Sequence, residues 1–513
     1  AAGTFVPLAC KAPARRWQTG RCRLRLWSMK RILLAATAAS ALPAITLSAP
    51  VAAQTAAAPT PVGQPAGTRP APTPPAPVDA RVAALRDAAL KDEVAYDIVE
   101  GLTTEVGQRL AGTEAEARAR TWGAAKLKAL GFKNVRIETY QMPVWVRGTE
   151  EAEIIAPFAQ KLKLAALGNS GSTGAQGLIA DLVVFPSTTE FANAPAGAVR
   201  GKIVYIGNSM QPTQDGSSYG ANGPARFTGP AMAAAKGAAA IVIRSIGTDT
   251  HRLPHTGVTN FPTGMAAIPA AALSVPDAEL IERMALRGKP IRMRLLLTPK
   301  QTGSHESGNV IAEVPGTDPA AGVVLVGGHL DSWDLATGAI DDASGVAITT
   351  AAAKRILDSG RRPRRTIRVV WFGAEEVGGF GGEDYARKHG AERHAIAAES
   401  DFGADRVWRF ETTLPPAAKP VADRLASALA PLGIVRGTGP GGDGSDIEAT
   451  IALGVAGIDL NQSGLRYFDV HHTPDDTLDR VDPAQLQQNV AAWTTMLAVV
   501  ADAPEEIGAV TRP

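Results

Sequence analysis

The chain has 513 residues, 45% of them apolar and 20% charged, and its 52 Lys plus Arg against 50 Asp plus Glu leave a formal net charge of +2. That length gives room for more than one domain and a sizeable core. So even a balance carries no electrostatic footprint for nucleic acid or an acidic membrane surface, and neither is expected as a partner.

In chain order, the first expected features are processing signals. Met29-Lys30-Arg31 gives a start and a positive n-region, 32–47 an apolar h-region, and Val51-Ala52-Ala53 a small-residue cleavage site. Residues 29–53 therefore read as a signal peptide, and 1–28 as an upstream extension that is not native. A membrane anchor is disfavoured because the apolar stretch is short and broken by Pro43. Residues 54–78, rich in Pro and Ala, read as a disordered linker. The protein is expected to be periplasmic or secreted, with no stable membrane insertion after cleavage. Both cysteines, Cys10 and Cys22, precede the expected mature start, so any metal must be held by imidazole and carboxylate.

A helical stretch is expected over 79–98, with Val82, Leu85, Ala89 and Leu90 on one face. A second helix runs from an N-cap at Thr113 to Leu130 and stops at Gly131, followed by a strand over 134–140. Residues 151–300 change texture. Short β runs (178–184, 202–206, 239–243, 291–297) and one helical piece (231–236) stand among Gly, Pro and Ser turns. We read that segment as an inserted β-rich domain between 79–150 and 301–505. From Asn309 onward, strands at 323–326, 366–372, 395–399 and 455–460 alternate with helices at 344–357, 380–388, 417–432 and 483–500. Such alternation predicts an α/β fold with a mixed, mostly parallel sheet sandwiched by helices. The basic run Arg361-Arg362-Pro363-Arg364-Arg365 falls between helix and strand and reads as a solvated loop.

Five segments of this second half put histidine or carboxylate where a strand ends, the place where open α/β sheets carry their sites. They are Gly-Gly-His329-Leu-Asp331-Ser, Gly-Ala-Ile-Asp341-Asp342, Gly-Ala-Glu375-Glu376, Glu399-Ser-Asp401 and His471-His472-Thr-Pro-Asp. His329 can offer one ring nitrogen to a metal while Asp331 accepts from the other. Asp341-Asp342 is either a helix N-cap pair or a bridge, because a carboxylate has two oxygens and a neutral imidazole has one lone pair. In the Glu375-Glu376 pair one carboxylate can ligate while the other acts as general base on a water. Two His and three carboxylates without sulfur suit two Zn²⁺ ions, with Co²⁺ or Mn²⁺ as substitutes.

At these motifs the chain resembles the zinc exopeptidases that include bacterial leucyl aminopeptidases, plasma glutamate carboxypeptidase (carboxypeptidase Q) and glutamate carboxypeptidase II. The resemblance covers about residues 80–500 and is closest to the carboxypeptidase Q type. It implies that His329 and Asp401 hold one metal, Glu376 and His472 the other, that Asp341 bridges them, and that Glu375 is the general base. It further implies a cis peptide bond between Asp341 and Asp342. His471 stands where some relatives carry a tyrosine that helps hold the oxyanion, which leaves that donor open. The segment 151–300 resembles a protease-associated domain through its stretches at 201–206 and 236–243.

These readings imply hydrolysis of a peptide bond near a chain end, with a peptide or dipeptide as substrate. Aminopeptidase, carboxypeptidase and dipeptidase action stay open, as does a homodimer. Arg466 is a candidate for reading a substrate carboxylate through bidentate pairing. The competing readings are a catalytically inactive, peptide-binding relative of the same fold and a one-zinc glutaminyl cyclase. No Gly-x-Ser-x-Gly elbow supports serine chemistry.

Overall fold

Residues 77–510 are described in the computed structural model. The upstream extension, the signal peptide, both cysteines and the linker up to residue 76 lie outside the described residues.

Runs rich in apolar residues build the centre of the first sheet. In spatial order its eight strands are Lys133–Val146, Lys300–Val314, Thr366–Phe372, Val323–His329, His394–Glu399, Gly457–Gln462, Val407–Thr413 and Val435–Arg436. The four central strands, from Thr366–Phe372 to Gly457–Gln462, run parallel, and antiparallel neighbours flank them on both sides. Side-chain alternation sends Val324, Val326, Val369 and Trp371 to one face, under the helices Ser344–Asp358 and Pro483–Asp502. Leu325, Val370 and Phe372 face the other side, against Tyr385 of the helix Phe380–His389 and Ile447 and Ile451. Both faces are covered, as a sheet with a parallel centre requires. The chain passes from Thr366–Phe372 to His394–Glu399 across the strand Val323–His329, so the strand order reverses there. That reversal opens a crevice at the carboxyl ends of the strands.

The closing helix Pro483–Asp502 begins where the Asp482 carboxylate accepts from the Ala484 and Gln485 amides, with proline at its first position. Its other end explains a departure from expectation. Arg365 is fully buried, not solvated: Nε donates to Ala321 O, Nη1 to Val500 O and Ala503 O, and Nη2 to Glu505 O. The last carbonyls of a helix lack intrahelical partners, and a guanidinium in that place satisfies them.

The stretch 79–98 is also not one helix. It divides into Ala80–Ala89 and Val94–Gly101, with Leu90 as an exposed C-cap. Asp92 starts the second helix by accepting from Ala95 N at 2.9 Å, and it is fixed by Arg355 at 2.8 Å.

The long antiparallel pair Lys133–Val146 and Lys300–Val314 carries the chain out to a second eight-stranded sheet and back. That sheet is ordered Gln160–Leu162, Glu150–Ala156, Arg292–Leu297, Leu178–Phe185, Ile203–Ile206, Ala240–Arg244, Ala270–Leu273 and Leu164–Ala166. Ile203–Ile206, Ala240–Arg244 and Ala270–Leu273 run parallel in its buried centre. Among the described residues, no helix is long and apolar enough to cross a membrane.

Candidate metal centre

The strand Val323–His329 delivers His329, almost fully buried, to the crevice. Its Nδ1 lies 3.0 Å from the backbone carbonyl of Asp331, so the proton sits there and Nε2 is free to ligate. The Asp331 carboxylate, expected to orient this ring, is 3.7 Å from Nδ1. It turns instead to the next strand's exit and accepts from the Glu375 amide at 3.1 Å and the Glu376 amide at 3.3 Å. The aspartate therefore organises the glutamate pair, while its main chain serves the histidine.

Asp341 and Asp342 take opposite roles across a cis peptide bond. Asp342 is a structural cap: Oδ1 accepts from Gly345 N at 2.9 Å, at the start of the helix Ser344–Asp358, and Oδ2 from His329 N at 3.0 Å. Asp341 is left free to face the crevice. Asp476 accepts from the Ile340 amide at 2.6 Å and the Asp341 amide at 3.2 Å. Buried Arg109 grips the same turn through the carbonyls of Leu330, Thr337 and Gly338. Asp341 Oδ1 then lies 3.0 Å from His329 Nε2, and Oδ2 lies 3.3 Å from His472 Nε2.

The strand Thr366–Phe372 ends in Gly373-Ala374, and Ala374 has φ +61°, a backbone that L residues seldom adopt and that clusters at functional turns. This bend directs Glu376 inward, with Oε2 3.0 Å from His472 Nε2, and leaves Glu375 half-buried at the rim. Asp401, two residues past the strand His394–Glu399, brings Oδ1 to 3.4 Å from His329 Nε2. Glu399 does not join the cage, because its Oε2 accepts from the Asp446 and Ile447 amides. His472, also at φ +61°, stacks on His471 with ring centroids 3.5 Å apart, and His471 Nε2 lies 3.7 Å from Asp341 Oδ2.

Burial pushes the Glu376 carboxyl up to about 8 and the Asp401 carboxyl up to about 6, against the pull of the neighbouring imidazoles. Burial also opposes ionisation of Asp341, yet the His329 and His472 imidazoles beside it hold it well below the usual carboxylate range. Three buried acceptors, Asp341 Oδ2, Glu376 Oε1 and Asp401 Oδ1, have no hydrogen-bond partner. Orphaned carboxylate oxygens beside imidazole nitrogens are costly unless cations complete them. The donor set, imidazole and carboxylate without thiolate, fits zinc. Ligand atoms converge in three combinations: His329 with Asp341 and Glu376, His329 with Asp342 and Asp401, and Asp341 with both His471 and His472. Asp342 is already spent on two amides, so Asp341 is the carboxylate available to both halves of the cage.

Arg466 is not brought into the cage. Its guanidinium is engaged by Asp405 through two nitrogens and is 56% exposed. Sequence reasoning missed Arg109, Asp476, Arg226 and Thr256. The first two hold the Asp341 turn and the last two touch His472. None lies in a periodic pattern or metal-ligand spacing that could have marked it.

Known proteins share this scaffold. The sequence signature of peptidase family M28 matches residues 309–497. Carboxypeptidase Q from Bos taurus is 36% identical over 413 residues, 80% of this chain and 86% of that protein. The crystal structure of a peptidase M28 precursor from Shewanella amazonensis SB2B superposes with a TM-score of 0.82 at 46% identity, covering 84% of this chain and 98% of that one. A zinc aminopeptidase from Bacillus subtilis, 20% identical, shares the fold with a TM-score of 0.58 over 82% of this chain and 98% of its own. With more than a third of its residues shared with carboxypeptidase Q across four-fifths of its length, the chain belongs to peptidase family M28.

Proposed function

We propose that this peptidase is an exported two-zinc exopeptidase that cleaves peptide bonds at chain ends. One observation carries the reading: the two oxygens of Asp341 point to different imidazoles, Oδ1 to His329 and Oδ2 to His472. Asp401 flanks the first imidazole and Glu376 the second, which divides the cage into two halves joined by Asp341. When bound, zinc supplies Lewis acidity toward the attacking water and the scissile carbonyl.

The residues of the chain do the rest. Glu375, at the rim beside the cage, takes one proton from the attacking water and delivers it to the leaving amine nitrogen as the C–N bond breaks. Asp331 fixes both glutamates through their amides. Asp476 and Arg109 fix Asp341. The substrate is a peptide or dipeptide, a reading supported by the names of the relatives, a carboxypeptidase and an aminopeptidase. We further read residues 151–300 as a protease-associated domain shaping access to the cage, and the segment 29–53 as the export signal.

The test is Glu375→Gln. Zinc content should stay at two while kcat falls about 10²- to 10⁴-fold, the usual loss for a general acid–base group. Near-normal turnover would remove Glu375 from the mechanism. Amino-blocked, carboxyl-blocked and free dipeptides then separate the three exopeptidase modes.

A further inference from the structure

The two histidines at the heart of the cage are held in different ways. His329 is oriented from its own strand exit, by the Asp331 carbonyl two residues on. His472 sits in a left-handed backbone and directs Nδ1 at the carbonyl of Thr256, 216 residues earlier in the chain, at 3.2 Å. The same peptide grips it twice, because Thr256 N donates to His472 O at 3.0 Å.

Arg226 stands behind that carbonyl. It is 3% exposed, and among the described residues no carboxylate lies within ion-pair reach of it. Nη1 is 3.3 Å from Thr256 O and 3.3 Å from His472 Nδ1, Nη2 meets Tyr219 Oη, and Nε has no partner. The guanidinium lies over the Phe227 ring at 4.4 Å and near the Tyr219 ring at 5.4 Å. Gly257 opens the slot for it: a Cβ there would stand 2.3 Å from Nη1. Burying a cation without a counter-charge is expensive, and aromatic faces offset that only in part.

We propose that Arg226 is the positioning residue for His472, acting through the Thr256 carbonyl. An Nε2 ligand must carry its proton on Nδ1, and the carbonyl that accepts this proton selects tautomer and ring angle. By donating to the same oxygen, Arg226 fixes where that carbonyl points. The half of the cage formed by Glu376 and His472 therefore leans on Arg226 and Thr256 of the inserted segment, while His329 takes its hydrogen-bond partner from its own strand exit.

This inference rests on the two-zinc reading, and zinc binding itself tests it. Chelator competition on the full mature chain would compare the wild type with Arg226→Met, Arg226→Lys and Tyr219→Phe. Arg226→Met should bind the zinc of His329 and Asp401 as the wild type does and that of Glu376 and His472, here the second, about 10- to 100-fold more weakly, the usual loss when such an outer partner is removed. Arg226→Lys keeps one donor and should recover part of the loss. Tyr219→Phe, which keeps the ring and releases only Nη2, should weaken the second zinc in the same direction by less, with unchanged melting of the metal-free protein. Wild-type affinity for both ions in Arg226→Met would overturn the proposal. So would equal weakening of both ions, or a Tyr219→Phe protein that binds as the wild type. A wild type that takes up fewer than two zinc ions would overturn the two-zinc reading first, and the proposal with it.

Discussion

Replacing Asp331 by asparagine separates two accounts of this residue. As the carboxylate partner of His329, its loss would loosen the zinc held by His329 and Asp401. In the structure its oxygens instead accept from the Glu375 and Glu376 amides at 3.1 and 3.3 Å, and His329 Nδ1 uses the backbone carbonyl at 3.0 Å. Asparagine keeps that carbonyl and offers one acceptor where two amides need one each. One charge-assisted hydrogen bond is lost, roughly 1.5–3 kcal/mol, and an NH₂ group is turned toward an N–H. If about 2–3 kcal/mol of this appears as misplacement of Glu375, kcat falls roughly 30- to 150-fold at 1.36 kcal/mol per decade. That is a smaller loss than removal of the base itself. Steady-state kinetics on the zinc-loaded protein, with chelator competition for each ion, reads both quantities. Asp331→Asn should lower kcat while the zinc held by His329 and Asp401 keeps its affinity. Weakened binding at the His329 half with kcat per loaded site unchanged would refute this account of Asp331.

Arg365→Met takes the side-chain donor from Ala321 O and Glu505 O and one of two donors from Val500 O and Ala503 O, which keep Ala503 N and Arg364 Nη1, and should destabilise the fold by about 3 kcal/mol. Thermal unfolding should fall by several degrees with kcat at 25 °C retained, and an unchanged melting temperature would contradict the capping role. Zinc affinity should rise with pH between about pH 5 and pH 8. The buried carboxyls of Glu376 and Asp401, raised to about 8 and about 6, hold protons in the metal-free cage and must release them as cations enter. The sign follows from the direction of the shifts: the protonated metal-free form is favoured as pH falls, so binding weakens toward acid. Calorimetry in buffers of different ionisation enthalpy counts the released protons, and zinc uptake without proton release would contradict it.

Most of the candidate ligands were legible because His329, Glu376 and Asp401 stand at or just past the ends of readable strands. Thr366–Phe372, apolar but for Thr366 and Arg368, matches its predicted bounds residue for residue, and Glu375-Glu376 follow after two intervening residues. What escaped depends on partners distant in sequence. Nothing within 361–365 reveals that Arg365 meets a helix end 135 residues later. The helix break at Leu90 depends on Asp92 and its partner Arg355, 263 residues away, while the local apolar spacing runs straight through it. Ala270–Leu273 is a fully buried strand made mostly of alanine, a residue with little strand preference. Arg226 lies in a run of short helices with proline and glycine, where one arginine looks like any other. The Asp331 carboxylate, expected to meet His329, meets the Glu375 and Glu376 amides instead, since spacing along a chain does not say which way a carboxylate turns.

The central claim is that Asp341 joins two cation sites. A crystal structure of the zinc-loaded enzyme, with anomalous data collected at the zinc edge, tests it directly. The account predicts two zinc peaks about 3.5–4 Å apart, one between His329 and Asp401, the other between Glu376 and His472, with one oxygen of Asp341 on each. A single peak, or two peaks that do not share Asp341, would contradict it.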